Sequence, residues 1–180
     1  MVLPITQYGD GVLREKCAPV GEVTEEIKTL AENMIETMID AEGVGLAAPQ
    51  VGKAIQLAVV DVSHDPDCIS YLRVNGKEVD LAQVSPLVFI NPEFTLKGVK
   101  ESELEGCLSI QELRAKVKRP TEIEAKLPQL DGSVLTIETD GLFARALQHE
   151  IDHLNGVLFT DRVSSAARLK VSRSLAKLLR

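Results

Sequence analysis

Two histidines four residues apart, His149 and His153, stand in the segment Gln148-His149-Glu150-Ile151-Asp152-His153. On a helix this spacing puts both side chains on one face, a turn apart, so two imidazole nitrogens can reach one metal ion. Glu150 then lies at the rim of that ion. A metal lowers the pKa of water, and a neighbouring carboxylate can carry the proton the water gives up, which is the arrangement of metal-assisted hydrolysis. Histidines at this spacing also occur on amphipathic helices simply as satisfied polar groups. Two features favour the metal. The segment holds two of the chain's three histidines, and Glu150 falls between Leu147 and Leu154 on the helical wheel, where an unpaired carboxylate is costly to bury.

A third ligand has to come from elsewhere. In the extended zinc-protease pattern Gly156 matches, but the last ligand falls on Phe159, which has no donor atom, and Asp161 lies two residues too far on. A downstream glutamate is excluded, because residues 157–180 contain none. Upstream, Cys107 lies in Glu105-Gly106-Cys107-Leu108-Ser109-Ile110, a segment with no strong reason to bury a cysteine as a small hydrophobe. Cys107, His149 and His153 together would leave the fourth position to water, as in a catalytic rather than a structural site. His64 and Cys68 are also four apart, but Pro66 between them keeps that loop from holding the spacing on one face, so they are read as surface residues.

Composition narrows the context. The 180 residues suffice for a single domain with a well-buried core, and the net charge of −7 with 44% hydrophobic residues is ordinary for a globular protein. Charge is unevenly spread. Residues 163–180 carry Arg168, Lys170, Arg173, Lys177 and Arg180 and no acid, a charge of +5, so residues 1–162 must carry −12 for the net charge to be −7. A basic tail on an acidic body points to a polyanion contact, against the plainer reading of a solvated helical face. The odd count of three cysteines rules out a complete disulfide framework and fits a reducing compartment. No basic region followed by a long apolar run opens the chain, and no stretch approaches the ~18 apolar residues of a membrane span. A cytoplasmic location is expected.

The elements that must position these residues follow from periodicity. Ile27, Leu30, Ala31, Met34, Ile35, Met38 and Ile39 keep the spacing of one buried helical face, with Thr24 as N-cap, Glu25 and Glu26 at the positive end and Gly43 as the stop. Gly43 to Gln50 is a run of small residues that must turn or admit something closely. Ile55–Val62 and Leu87–Ile90 read as buried strands, and Phe94 to Leu96 as the start of a partner to the second. Asn75-Gly76 marks a hairpin on a surface excursion. Thr121–Leu127 alternates apolar and charged residues and turns at Asp131-Gly132 into Val134–Ile137, its antiparallel partner. Asp140 should cap the helix carrying the histidines, which Leu142, Phe143, Ala146, Leu147, Ile151 and Leu154 bury and Asn155-Gly156 ends. A third helix from about Ser164 has a less regular apolar face of Leu169, Leu175, Ala176, Leu178 and Leu179. The fold class is α+β.

Gly43-Val44-Gly45-Leu46-Ala47-Ala48-Pro49-Gln50, Glu105 to Ile110 and Gln148 to His153 resemble, in order and spacing, the three motifs of the peptide deformylase family. The likeness extends from Leu13-Arg14 and Pro19-Val20 to Gly156-Val157-Leu158-Phe159 and Asp161-Arg162, nearly the whole chain. It implies antiparallel sheets wrapped around a central metal-binding helix, with an N-terminal and a C-terminal helix, in one catalytic domain over 1–180. The implied activity is removal of the formyl group from formyl-methionine at the N-terminus of nascent polypeptides.

Carried over residue by residue, the resemblance makes Cys107, His149 and His153 the metal ligands and Glu150 the acid/base residue. The Gln50 side-chain amide and the Leu108 backbone N–H would bind the oxyanion, the Gly45 backbone the peptide, and Arg114 would lie along the substrate path. Gln111 stands where many bacterial members have proline. Ferrous iron is the implied metal, with zinc, nickel or cobalt as substitutes, although thiolate and imidazole donors alone would favour zinc. The basic helix 164–180 would reach the ribosome. Two rival readings lack residues: a zinc peptidase has no third ligand at Phe159, and a closed structural metal site has no fourth Cys or His near Cys107.

Overall fold

The computed structural model describes all 180 residues. Helix α1 spans Glu25–Asp40, and the Thr24 hydroxyl oxygen accepts from the Ile27 N–H at its start. Ala31, Met34 and Met38 face the core as expected, but Ile39 is exposed and Thr37 is buried in its place. Thr37 tolerates that position because its hydroxyl donates to the Asn33 carbonyl and accepts from the Leu3 N–H. The helix end also differs. Glu42, not Gly43, adopts the left-handed conformation (φ 54°). The Gly43 and Glu42 N–H groups donate back to the Met38 and Ile39 carbonyls at 2.9 and 3.0 Å, which closes the last turn. Gly43 is needed for room, since a Cβ there would come within 2.7 Å of Leu108 Cδ1.

Strands β1 (Gly45–Ala47), β2 (Leu57–Val60) and β5 (Leu87–Ile90) form an antiparallel sheet in the order β1-β2-β5. Its apolar runs have no polar face because both faces are covered. Leu57, Val59 and Ile90 pack with α1, whereas Ala58, Val60, Leu87 and Phe89 pack into the main core. The second sheet takes the order β4-β3-β8-β7-β6, with β3 (Leu72–Val74), β4 (Lys77–Glu78), β6 (Glu93–Cys107), β7 (Ile110–Pro128) and β8 (Val134–Asp140), every neighbour antiparallel.

Two expectations change here. The Asn75-Gly76 hairpin is no free excursion, because β3 pairs with β8 and extends the sheet. Phe94 to Leu96 pairs with β7, not with β5. Asn91 and Pro92 send the chain from one sheet into the other, and two short apolar runs do not reveal such a switch of partner.

Helix α2 (Gly141–Leu154) follows β8 without a loop and lies between the sheets. Phe143, Ala144, Leu147 and Ile151 meet Ala58, Val60 and Phe89 on one side and Ile123, Ala125, Leu127 and Ile137 on the other. Each fully buried Phe contributes roughly 1.5–3 kcal/mol of burial. Asp140 stands at the N-cap but does not cap: its Oδ1 accepts from the Tyr71 N–H, and Ser70 Oγ accepts from the Phe143 N–H instead. Helix α3 (Ser165–Leu178) is capped by Ser164 and buries only Val171. Val171, Leu175 and Ala167 face the body, while Leu169, Leu178 and Leu179 are exposed.

Candidate metal centre

The hairpin of β6 and β7 delivers Cys107 at its tip, where Cys107 pairs with Ile110 across Leu108 and Ser109. Helix α2 delivers His149 and His153 from the opposite side. One donor atom from each residue, Cys107, His149 and His153, lies within 4.8 Å of the others. Cys107 Sγ and His153 Nε2 are 3.3 Å apart. Bonds of about 2.1–2.3 Å would set two donors of a tetrahedral ion roughly 3.5 Å apart, so the Cys107–His153 spacing fits two ligands of one ion, with His149 close enough to be the third. The two histidines sit in unlike surroundings. Burial opposes a positive charge on His149, but its hydrogen bonds to Cys107 and Glu105 raise its pKa well above the usual histidine value. Burial and the His149 charge press His153 well below that value. The two imidazoles are thereby pushed in opposite directions. Phe159 and Asp161 are not donors. Phe159 stacks on the His149 ring with centroids 6.1 Å apart, and Asp161 pairs with Arg14.

Glu150 is 3% exposed, and its Oε2 has no hydrogen-bond partner. Burial pushes its carboxyl up to about 7, against the pull of the charges on His149 and Arg119. A buried carboxylate oxygen without a partner is costly, and groups kept at such a cost cluster at functional sites. The carboxylate lies against Gly45, where any Cβ would overlap it. β1 is an edge strand, so the outer side of Gly45 is left open toward a cleft of about 810 Å³. Gly45, Gln50, Cys107, Leu108, Arg114, His149 and Glu150 all line that cleft, and His153 lies buried beneath it at 1% exposure.

Gln50 is 1% exposed and aims its amide at Cys107, with Nε2 3.5 Å from Sγ. The Leu108 N–H donates to no protein acceptor. Arg114 reaches the cleft from a wide bulge. Glu105 pairs with Ala115 and Cys107 with Ile110, so residues 111–114 arch outward opposite Gly106 alone, with Glu112 in the left-handed region (φ 65°). The Arg114 stem packs across Gly106.

Behind the ligands lies a charge network to which sequence reasoning assigned no role. His149 Nδ1 is 3.0 Å from Glu105 Oε1, which leaves its Nε2 for a metal. Arg119 grips Glu105 with two bonds of 2.6 and 2.9 Å and reaches Asp152 at 2.8 Å. Arg145 donates to the same Glu105 at 2.8 Å, and Arg162 holds Asp152 with two bonds of 2.6 Å. Burial opposes the Glu105 charge, yet the hydrogen bonds from His149 and Arg119 outweigh it and hold the carboxyl down at about 2. A signal for Arg119 existed in the sequence. Ala115, Val117 and Arg119 share the buried face of β7, so a charge falls where a core residue belongs. Arg119→Met is expected to lower stability by about 3 kcal/mol, measured as the urea midpoint, because two buried carboxylates lose a partner. Arg119→Lys should not restore it, since an ammonium cannot bond bidentately.

The family model described as polypeptide deformylase matches residues 2–169. The chain is 46% identical over 177 residues to a peptide deformylase of Psychrobacter arcticus, covering 98% of this chain and 85% of that one. It is 42% identical over 180 residues to the peptide deformylase of Salinibacter ruber, covering 99% and 89%. Among solved structures, the peptide deformylase of Ehrlichia chaffeensis superposes with a TM-score of 0.85 at 32% identity, over 100% of this chain and 98% of that one. That of Synechococcus elongatus, in complex with actinonin, gives 0.80 at 38% identity, over 97% and 85%.

Proposed function

Because the chain belongs to the polypeptide deformylase family, hydrolases that remove the N-formyl group from the formyl-methionine of nascent polypeptides, we propose that Cys107, His149 and His153 hold its catalytic metal and Glu150 carries the proton. One observation supports this most: three donor atoms converge beside a buried carboxylate whose Oε2 has no other partner. In this reading residues 1–180 act as a single catalytic domain with 164–180 as its basic helix, since Val171 of α3 packs in one cluster with Ile110 and Phe159.

A divalent cation held by Cys107, His149 and His153 would polarise the formyl carbonyl and lower the pKa of a water. Glu150 takes the proton from that water as its oxygen bonds to the formyl carbon. The Gln50 Nε2–H and the Leu108 N–H hold the formyl oxygen as negative charge develops on it. Glu150 then delivers the proton to the methionine nitrogen as the C–N bond breaks, releasing formate and the free amine. The open edge of β1 at Gly45 pairs with the extended peptide, and Arg114 lies along its path. Formate release from a formyl-Met peptide, with the unformylated peptide as control, tests the activity directly.

Ferrous iron is the proposed native metal, with zinc, nickel or cobalt as substitutes that the same sulfur and nitrogen donors accept. Protein prepared without oxygen should contain iron and lose specific activity on exposure to air. Equal activity from aerobic and anaerobic preparations, both containing zinc only, would overturn the iron assignment.

No helix is long and apolar enough to cross a membrane. The proposed compartment is the cytoplasm, where formylated nascent chains emerge, and the proposed partner is the ribosome. Arg168, Lys170, Arg173, Lys177 and Arg180 are all exposed on or just beyond α3, and together they offer a cationic surface to ribosomal phosphates. Deleting residues 164–180 should abolish co-sedimentation with ribosomes, and raising salt should weaken that of the full chain. Co-sedimentation that ignores both would remove the tail from this role.

A further inference from the structure

Both ends of the Gln50 side chain are held. Its Oε1 accepts from the Ala47 N–H at 2.9 Å, which decides which end is oxygen, because a reversed amide would set two donors against each other. Nε2 therefore carries two hydrogens into the site. It donates to Ser109 Oγ at 3.2 Å. The other hydrogen makes only a long contact, with Cys107 Sγ 3.5 Å from Nε2 at the edge of the cleft. Ser109 is 0% exposed, and Gln50 is the only hydrogen-bond partner of its hydroxyl.

The backbones of this pair are tied by a third segment. The Thr6 N–H donates to the Gln50 carbonyl and the Tyr8 N–H to the Ser109 carbonyl, both at 2.8 Å. Between them, Gln7 Nε2 donates to the Leu108 carbonyl at 3.2 Å. Residues 6 and 8 of an extended chain point their N–H groups the same way, so one short stretch spans two loops 59 positions apart in sequence. The fixed distance between Gln50 and Ser109 is thereby independent of α2 and of the metal ligands on it.

We propose that Ser109 is a positioning residue for deformylation: its hydroxyl fixes the rotation of the Gln50 carboxamide so that the remaining N–H is aimed at the formyl oxygen. The proposal rests on the reading of Gln50 as an oxyanion donor. The terminal amide torsion of glutamine is soft, so without the Ser109 acceptor the amide is held only at its oxygen and by the long 3.5 Å contact to Cys107 Sγ, and its N–H spreads over a range of directions. The formyl oxygen gains its charge only as the bond to water forms, so misdirection weakens the transition state more than substrate binding.

The test is a double-mutant cycle on the metal-loaded enzyme, with kcat, KM and metal content measured for Ser109→Ala, Gln50→Ala and the double variant. Gln50→Ala should lower kcat by about 100-fold, the scale of one lost oxyanion donor. Ser109→Ala should lower kcat by about tenfold, with KM and metal content unchanged, and should add nothing once Gln50 is alanine. Ser109→Cys keeps the volume with a poorer acceptor and carries the same expectation should the alanine variant not fold. A full kcat in Ser109→Ala, a loss that multiplies with that of Gln50→Ala, or a loss confined to KM or metal content would overturn the proposal and leave Gln50 in its role. An unchanged kcat in Gln50→Ala would instead remove the reading of Gln50, and the proposal with it.

Discussion

Glu150→Gln is expected to keep its metal and lose most of its turnover, on the order of 10²–10⁴-fold in kcat, the usual worth of a general acid–base residue. The substitution is nearly isosteric, and none of the three donor residues is touched. Glu150 Oε2 makes no hydrogen bond that would be lost. What disappears is the ability to accept a proton at one oxygen and return it to the amine nitrogen. A buried carboxylate raised toward neutrality by its surroundings is suited to both halves of that transfer, and an amide to neither. Metal analysis and kcat on the same preparation decide the matter. Full activity in a metal-loaded glutamine variant would sink the acid/base assignment, and loss of the metal would make Glu150 part of the binding set.

Cys107→Ala should lose the metal itself. The thiolate is the one anionic donor of the three, and the two imidazoles left behind sit on a single helix face with nothing opposite them. Structural sites bind zinc with about 10–16 kcal/mol spread over four donors, so one donor is worth roughly 3 kcal/mol, or on the order of 100-fold in affinity. Dialysis against a weak chelator should strip the variant while the parent keeps one ion per chain. Activity should vanish with the ion, and the chain should remain folded, because Cys107 lies at a hairpin tip whose strand pairing does not involve its side chain. A variant that retained one ion per chain after dialysis would show that the third ligand lies elsewhere.

Much of the local structure was legible because neighbours in sequence cause it. The histidine spacing, the period-two alternation of residues 121–127 and the Asn75-Gly76 turn each depend on contacts within a few residues, and each appears in the structure. The failures share a different cause. Gly43 looked like a helix stop, but Glu42 takes that backbone conformation and Gly43 makes room for Leu108, a residue 65 positions away. Asp140 looked like a cap, but Ser70 from another strand connection does the capping. Phe94 to Leu96 joined the other sheet.

By itself the sequence determined the kind of chemistry. A His-Glu-x-x-His helix, a missing downstream ligand and one eligible cysteine narrow the choice to a hydrolytic metal site, because donor types and helical spacing are local properties. Only the tertiary structure decided what holds that site in working order. Glu105, Arg119, Arg145, Asp152 and Arg162 come from four separate elements to orient His149 and brace α2, and Ser109 and the segment 6–8 set the direction of Gln50. A buried charge stripped of its partner is strongly destabilising, so Glu105, Arg119 and Asp152 depend on one another. Which residues meet is set by how the two sheets close around one helix, and no window along the chain contains that information.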